Sequence, residues 1–180
     1  MDSLFSIGHG NKTIEEFLNE LKSFDIAYLV DVRTTPYSKW NTHFNQDSLQ
    51  NYLGKNGIRY VYMGDSLGGM PSDTSCYTNG KIDYSKMAMR DSFIIGLNRL
   101  VIANEKSLKL AVMCSESEPD MCHRSKLIGQ ELRKHNITLQ HIIGANRLIS
   151  QIDVINSLNN GNGIATLFGE ETLTSRKTYL

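Results

Sequence analysis

A regular alternation of short apolar runs with segments of helical hydrophobic period is the feature that most constrains this fold. The apolar runs predict strands at residues 4–7, 26–30, 59–63, 108–113 and 138–143. The helical spacing predicts helices at about residues 14–24, 49–53, 93–101 and 122–135. Strands that alternate with helices are typical of parallel sheets with helices packed against them. We therefore predict an α/β fold of three layers, with a mainly parallel sheet and helices on both faces.

The chain has 180 residues, of which 40% are hydrophobic and 21% charged, and this composition suits a globular protein with a sizeable core. We predict a single α/β domain over residues 1–144. A C-terminal extension over residues 145–180 is expected to pack on the domain or at an interface. Its apolar residues predict a docking helix at about residues 148–158, before the Asn- and Gly-rich residues 159–163. Residues 64–83 are punctuated by Gly, Pro and Asn and are expected to be irregular.

Charge and cysteine usage limit the partners and the compartment. Lysine plus arginine balance aspartate plus glutamate at 19 each, so nucleic-acid binding by overall charge is disfavoured and only a local basic groove would suit it. No apolar run approaches the roughly 18 residues of a membrane span, and residues 1–7 lack the basic region of a secretory signal. The odd number of cysteines, Cys76, Cys114 and Cys122, predicts unpaired thiols in a reducing compartment. A cytoplasmic location is expected.

The richest set of reactive residue types occupies residues 114–124, between a predicted strand and the helix that follows it. Ligands of open α/β sheets bind at the carboxyl ends of the strands, and the first turn of a helix suits an anion or a thiolate. We expect Asp120 to cap the helix and Arg124 to clamp a phosphate or a carboxylate. A thiolate would serve as nucleophile, and a carboxylate or imidazole as acid or base. The candidate catalytic residues of this stretch are Cys114, Glu116, Cys122 and His123.

Two other interpretations of the same stretch stay open. In the first, both cysteines are small core residues and the polar side chains only cap a helix. In the second, Cys114, Cys122 and His123 bind a metal ion, with Glu116 or His9 as the fourth ligand. The adjacent Cys-His pair argues against a metal, because neighbouring side chains on a helix diverge by about 100°. The main interpretation therefore assigns no metal and no cofactor.

A second polar group follows the second predicted strand. Asp31 and Arg33 flank one residue there, so their side chains point to the same face of the sheet. Asp31 is a further candidate catalytic residue and Arg33 a candidate anion ligand, unless the two form a structural pair that closes the loop. His9, between two glycines at the end of the first strand, would join the same edge of the sheet. The turn at Gly68 and Gly69 would let the backbone approach a ligand closely, unless it is an ordinary turn. The candidate ligand-binding residues are Arg33, Arg124, Ser38, His9, Gly68 and Gly69.

At these residues the chain resembles the domain of unknown function 488 family, from about residue 4 to residue 143. The motifs that carry the resemblance are Ser6-Ile7-Gly8-His9, Asp31-Val32-Arg33 with Pro36 and Ser38, Leu67-Gly68-Gly69, Cys114 with Glu116, Cys122-His123-Arg124, and His141-Ile142. One departure is Lys39, where the family pattern has an arginine suited to planar anion recognition. The resemblance implies a three-layer α/β fold and a site, but no reaction. A fainter similarity to rhodanese-like domains is an analogy at the level of the fold.

The residues together predict an enzyme that acts on a phosphorylated, nucleotide-like or nucleic-acid substrate, through an anion-binding site at the carboxyl ends of the strands. The alternative is a non-enzymatic module that binds a nucleotide or another anion, or a protein partner, and needs no reactive thiol. A metal-binding protein that uses Cys114, Cys122 and His123 is the second alternative. The expected partner is a small anionic or nucleotide-like ligand, or a nucleic acid, and not a membrane. The sequence leaves the oligomeric state open.

Overall fold

The computed structural model describes residues 4–158, 165–166, 169–170 and 173–180. In the first half of the chain the strands and helices are β1 (Leu4–Gly8), α1 (Ile14–Lys22), β2 (Tyr28–Asp31), α2 (Gln46–Lys55), β3 (Arg59–Tyr62), α3 (Gly64–Leu67), β4 (Tyr77–Thr78), β5 (Lys81–Asp83) and α4 (Tyr84–Ala88). In the second half they are α5 (Asp91–Glu105), β6 (Leu110–Cys114), α6 (Gln130–Lys134), β7 (Gln140–Gly144), β8 (Arg147–Ser150), α7 (Gln151–Ser157), β9 (Ala165–Thr166), β10 (Gly169–Glu170) and β11 (Thr174–Thr178). A π-helical turn over Arg124–Gly129 runs directly into α6.

The main sheet has six strands in the order β3-β2-β6-β1-β7-β8. The neighbours from β3 to β7 are parallel, and β8 pairs antiparallel with β7. Helices α1 and α2 contribute to the apolar core on one face, and α4, α5 and α6 to the core on the other. The predicted three-layer α/β fold with a mainly parallel sheet is confirmed.

Strand β6 explains why the layers form on both sides of the sheet. Its residues Leu110, Val112 and Cys114 belong to the core under α5, whereas Ala111 and Met113 belong to the core under α1 and α2. Successive side chains of a strand point to opposite faces, so a run that is apolar at every position is buried on both. Burial of each larger aliphatic side chain contributes roughly 1.5–3 kcal/mol.

Helix α1 begins where the sequence predicts. The Thr13 side chain accepts a hydrogen bond from the Glu16 backbone N–H at 3.2 Å, and the Glu16 carboxylate accepts one from the Thr13 backbone N–H at 2.8 Å. This capping box satisfies two backbone donors that the helix itself leaves unpaired. The cap thus fixes the start of the helix that follows the loop around His9.

Residues 64–83 carry more regular structure than the sequence indicates. They include α3 and the short strands β4 and β5, and β5 pairs antiparallel with β11 from the C-terminus. The prediction that residues 64–83 are irregular was therefore wrong in part. The two strands in this segment are too short to show a hydrophobic period in the sequence. The pairing with β11 brings residues 174–178 onto the same side of the fold as the carboxyl end of β6.

The main sheet also runs past residue 144, at which the sequence analysis ends the domain. Strands β7 and β8 form a hairpin that pairs Ile142 with Leu148 and His141 with Ile149. The prediction of a docking helix was thus wrong at Leu148 and Ile149, because these residues pair with the edge of β7 as part of strand β8. Helix α7 begins only at Gln151. Residues 1–3 and 159–163 lie outside the described residues. Among the described helices, none combines the length and the apolar character needed to cross a bilayer.

Candidate functional site

A cavity of about 190 Å³ lies at the carboxyl ends of β2 and β6. Parallel strands bring these ends to one edge of the sheet, where an open α/β fold binds its ligands. The predicted site residues that line the cavity are Arg33, Gly69, Cys114, Glu116, Cys122 and His123. Residues from four separate parts of the sequence therefore converge on this cavity.

The floor of the cavity is a cluster of two thiols, an imidazole and a carboxylate. The Cys114 thiol donates a hydrogen bond to Glu116 Oε2 at 2.7 Å. The Nδ1 atom of His123 lies 3.8 Å from Cys114 Sγ and 3.6 Å from Cys122 Sγ. Cys114, Cys122 and His123 are buried, whereas Glu116 is exposed toward the cavity. We call these four residues the Cys114 cluster.

Within the Cys114 cluster, the pKa of the thiol and the pKa of the carboxylate are shifted in opposite directions. A hydrogen bond with Cys122, together with burial, raises the pKa of the Cys114 thiol well above its ordinary value. Burial alone would raise the pKa of Glu116, but the hydrogen bond from Cys114 and the charge of His123 outweigh it and leave this pKa lowered. Burial disfavours the charged form of His123, yet its interaction and hydrogen bond with Cys114, together with the charge of Glu116, outweigh burial and raise its pKa. The carboxylate is thus the ionised group at neutral pH, and the Cys114 thiol keeps its proton.

Backbone geometry brings Cys122 and His123 together even though they are adjacent. Cys122 is extended, with φ −126° and ψ 150°, whereas His123 is helical, with φ −63° and ψ −19°. The change of conformation between them lets both side chains turn to the same side. Asp120 was expected to cap this helix. Instead it lies in a 3₁₀ turn, and His123 occupies the cap position without a side-chain hydrogen bond to the helix.

Arg124 holds the loop that carries Glu116. Its guanidinium Nη2 donates to the Glu116 carbonyl at 3.0 Å and to the Ser117 carbonyl at 2.7 Å. The side chain is only 1% exposed and is not among the residues that line the cavity. Its Nε and Nη1 atoms are buried with no hydrogen-bond partner among the described residues. The structure thus places Arg124 beneath the loop, where it positions the site.

Two glycines of the predicted motifs are needed for close approach to this loop. A Cβ atom at Gly8 would lie 1.9 Å from the Glu116 carbonyl oxygen, and one at Gly69 would lie 2.6 Å from Nδ1 of His123. Both distances are shorter than any real contact, so a side chain at either position would displace the loop or the imidazole ring. Gly68 instead packs against Thr34, outside the cavity lining.

Arg33 reaches the cavity from the other face of the sheet, and its side chain is fixed by Asp31. The guanidinium donates to Asp31 through Nε at 2.9 Å and through Nη2 at 2.6 Å, and Nη2 also donates to the Phe44 carbonyl at 2.8 Å. The Tyr60 hydroxyl donates to the same carboxylate at 2.7 Å. Asp31 is fully buried and does not line the cavity. We call Asp31, Arg33 and Tyr60 the Asp31 cluster.

Two further predicted residues also lie outside the cavity lining. His9 is buried and stacks on Phe44 with ring centroids 4.3 Å apart. Burial lowers the pKa of His9 to about 4, so the imidazole is neutral at physiological pH. The Ser38 hydroxyl accepts hydrogen bonds from the backbone of Trp40 and Asn41 and orders the loop after Arg33.

Several lining residues were missed by the sequence analysis. Those that offer polar side chains and lie outside the predicted motifs are Tyr84, Ser175, Arg176, Lys177 and Tyr179. All but Tyr84 come from the C-terminal segment, which reaches the cavity only because β11 pairs with β5. The adjacent pair Arg176 and Lys177, in a tail that is otherwise uncharged after residue 171, was the one available signal.

Comparison with protein families agrees with the predicted resemblance. A family model described as domain of unknown function DUF488 matches residues 13–130. The chain belongs to the DUF488 family. The DUF488 match includes the Asp31 cluster and the Cys114 cluster, and it ends before the lining residues of β11. No curated protein and no solved structure matches the chain.

Three residues of the DUF488 site have the donors and the spacing for a metal ion. The ligand atoms of Cys114, Cys122 and His123 all lie within 4.8 Å of one another, and all three residues are buried. Two sulfurs and an imidazole nitrogen suit zinc, whereas calcium and magnesium prefer oxygen donors. The site therefore combines a set of soft donors with a cavity edge that carries basic side chains.

Proposed function

We propose that the protein is an enzyme that acts on a small phosphorylated, nucleotide-like substrate whose anionic group lies in the cavity. The observation that carries the proposal is the charge of the lining. Arg33, Arg176 and Lys177 face a single carboxylate, that of Glu116, among the described lining residues. A cavity of about 190 Å³ suits a phosphate group with part of what it is attached to, and basic side chains are the usual partners of such a group.

Arg33 is the cation best prepared to orient a phosphate. Among the described residues its hydrogen bonds use the backbone N–H, Nε and Nη2, which leaves Nη1 for the cavity. Because Asp31 and the Phe44 carbonyl fix the plane of the guanidinium, little side-chain entropy is lost when an anion binds. Asp31 thus acts as a positioning residue, whereas Arg176 and Lys177 are exposed on β11 and add attraction at the rim.

Glu116 is the proposed proton acceptor. Its lowered pKa keeps it ionised at neutral pH, and the nearest nucleophilic group, the Cys114 thiol, already donates a hydrogen bond to it. A general base must lie within hydrogen-bond reach of the proton it takes. Because the pKa of Cys114 is raised, this thiol keeps its proton at neutral pH, so the proton that Glu116 accepts in the reaction is that of the substrate or of an attacking water molecule. Free thiols at all three cysteines suit a reducing compartment, and we propose the cytoplasm.

The test measures binding and turnover separately. Inorganic phosphate and adenosine 5′-monophosphate are titrated calorimetrically into the wild type and into an Arg176→Ala/Lys177→Ala variant. We expect the dissociation constant to rise about tenfold, since loss of two attractive charges costs on the order of 1.4 kcal/mol. A Lys106→Ala/Lys109→Ala variant is the matched control, because it removes the same charge at the opposite end of β6. Equal affinity in all three proteins would overturn the anion site.

Turnover distinguishes the enzyme from a binding module. Release of inorganic phosphate from a panel of nucleotides and sugar phosphates is measured for the wild type and for Glu116→Gln. We expect release by the wild type and a loss of at least about a hundredfold in the variant, since a general base contributes 10²–10⁴ to a rate. Phosphate binding without any turnover on the panel would favour the non-enzymatic module.

A further inference from the structure

We propose that Cys114, Cys122 and His123 bind one zinc ion at the floor of the cavity, with a fourth coordination position open to the ligand. This inference deepens the proposed function, because it names the group that the anionic substrate would meet below Arg33. Three residues supply the ligands, and the ion lies between the end of β6 and the start of the π-helical turn.

The distances between the ligand atoms fit a tetrahedral zinc site. With zinc–sulfur bonds of about 2.3 Å and zinc–nitrogen bonds of about 2.0–2.1 Å, a sulfur and a nitrogen on one ion are roughly 3.6 Å apart. Nδ1 of His123 lies 3.6 Å from Cys122 Sγ and 3.8 Å from Cys114 Sγ. These lengths are long for hydrogen bonds but match the edges of a tetrahedron. Two edges of the site thus already have the length that zinc needs, and all three ligand atoms, the two sulfurs included, lie within 4.8 Å of one another.

The conformation of the chain removes the objection to an adjacent Cys-His pair. On a helix the two side chains would diverge, but here Cys122 is extended and His123 begins the helical conformation. The backbone of Gly69 packs closely against the ring of His123, because any Cβ atom at Gly69 would lie 2.6 Å from Nδ1. The ligand arrangement is therefore built by the backbone on both sides rather than by flexible side chains.

Charge balance favours a zinc-like ion over a hard cation. Binding releases one proton from each thiol to solvent, so two thiolates, a neutral imidazole and a divalent ion form a neutral group that can stay buried. Calcium and magnesium prefer oxygen ligands, and sulfur and imidazole suit zinc. Glu116, whose Oε2 lies 2.7 Å from Cys114 Sγ, faces the same space.

Three protein ligands and an open side distinguish this site from a closed structural one. All three ligands line the cavity that also exposes Arg33 and Lys177. Catalytic zinc sites keep a fourth position for water or substrate, whereas structural sites use four protein ligands. A phosphate oxygen or a water molecule is the ligand that this cavity admits.

The test uses the full chain and cobalt as a spectroscopic probe. Co²⁺ is titrated into reduced, metal-free protein while the thiolate charge-transfer band and the tetrahedral d–d bands are recorded. We expect both bands to saturate at one equivalent, and zinc to displace cobalt stoichiometrically. Cys122→Ser should lose about half of the charge-transfer intensity, since one of two thiolates remains, and should bind cobalt at least tenfold more weakly. Cys76→Ser is the matched control, because Cys76 is equally buried but lies outside the ligand set.

A measurement on the wild type covers the case in which Cys122→Ser does not fold. Alkylation of the native protein, read peptide by peptide, should slow at Cys114 and Cys122 when zinc is added and stay unchanged at Cys76. Absence of tetrahedral cobalt bands from the wild type, or unchanged bands in folded Cys122→Ser, would overturn the zinc site. Phosphate titration of the metal-free protein separates the two proposals, since affinity that depends on Arg176 and Lys177 but not on zinc leaves the anion site standing.

Discussion

The two polar clusters at the strand ends differ in how far their hydrogen bonds are satisfied within the protein. In the Asp31 cluster the carboxylate accepts from the backbone N–H, Nε and Nη2 of Arg33 and from the hydroxyl of Tyr60. In the Cys114 cluster, Nδ1 of His123 faces two sulfurs at 3.6 Å or more, which is long for a hydrogen bond. The Asp31 cluster is complete in the sense that protein groups satisfy its carboxylate, whereas the Cys114 cluster borders the cavity with its hydrogen bonds only partly made.

This difference assigns different roles to groups that look alike in sequence. A buried carboxylate whose hydrogen bonds are all made within the protein stabilises one conformation and has no capacity left for a ligand. Buried polar atoms without partners cost free energy, and they persist where a ligand or an ion completes them. Asp31 therefore orients Arg33, whose Nη1 remains for an anion, whereas the Cys114 cluster is the part of the site that reacts.

The largest expected effect on stability follows from removing the carboxylate of Asp31. Asp31→Ala leaves the Arg33 guanidinium, which is 7% exposed, without its counter-charge. Removal of one partner of a buried ion pair typically costs roughly 3–5 kcal/mol. We expect the free energy of unfolding to fall by about that amount in urea titrations at pH 7.

Tyr60→Phe is the graded control for that variant. It removes one donor to Asp31 and keeps the ion pair, so the loss should be about 1–3 kcal/mol, the usual range for a hydrogen bond to a charged group. A loss below about 1 kcal/mol for Asp31→Ala would mean that solvent reaches Arg33, and the contrast between the two clusters would no longer hold.

The sequence predicts the strands and helices of the α/β fold because these elements depend on local patterns of residues. The doubly apolar run of β6 and the capping box of α1 are visible within a few residues, and both are confirmed. The strand ends that carry Arg33 and Cys114 follow from the same patterns, so the place of the cavity was predictable.

What separates the two clusters depends on contacts between distant parts of the chain. Tyr60 lies 29 residues from the carboxylate it completes, and the basic side chains of β11 reach the cavity through a pairing with β5. No local period encodes either contact. The sequence could therefore name Asp31 and Glu116 as candidates, but it could not indicate which carboxylate is paired internally.

A third polar cluster, around His141, extends the comparison to pH. Its ring nitrogens are hydrogen-bonded with the Ser6 hydroxyl and the Gln151 side-chain oxygen, so it too is complete. Burial lowers the pKa of His141 to about 4. The unfolded chain binds the proton near pH 6.5 and the folded protein only near pH 4, so stability is retained above pH 6.5 and falls as the pH drops between these values. The loss is on the order of 3 kcal/mol.

Replacement of the titrating ring tests that assignment. His141→Gln removes the proton-binding group, so the free energy of unfolding should depend on pH less steeply, by up to one proton, between pH 6.5 and pH 4. His9 contributes a similar dependence in both proteins, since burial lowers its pKa to about 4 as well. Urea titrations at half-unit pH intervals measure the slopes, and equal slopes in the two proteins would show that His141 is not buried in its neutral form.

The smallest effect on stability is expected at Glu116, the carboxylate of the incomplete cluster. It is exposed toward the cavity, and its one side-chain hydrogen bond among the described residues is the one that it accepts from Cys114. Replacement by an isosteric amide keeps an acceptor for the thiol, so the free energy of unfolding at pH 7 should change by no more than about 0.5–1 kcal/mol. The same urea titration that shows a large loss for Asp31→Ala measures this one. If Glu116→Gln were as destabilising as Asp31→Ala, the Cys114 cluster would be a second structural ion network, and the proposed proton acceptor would lose its basis.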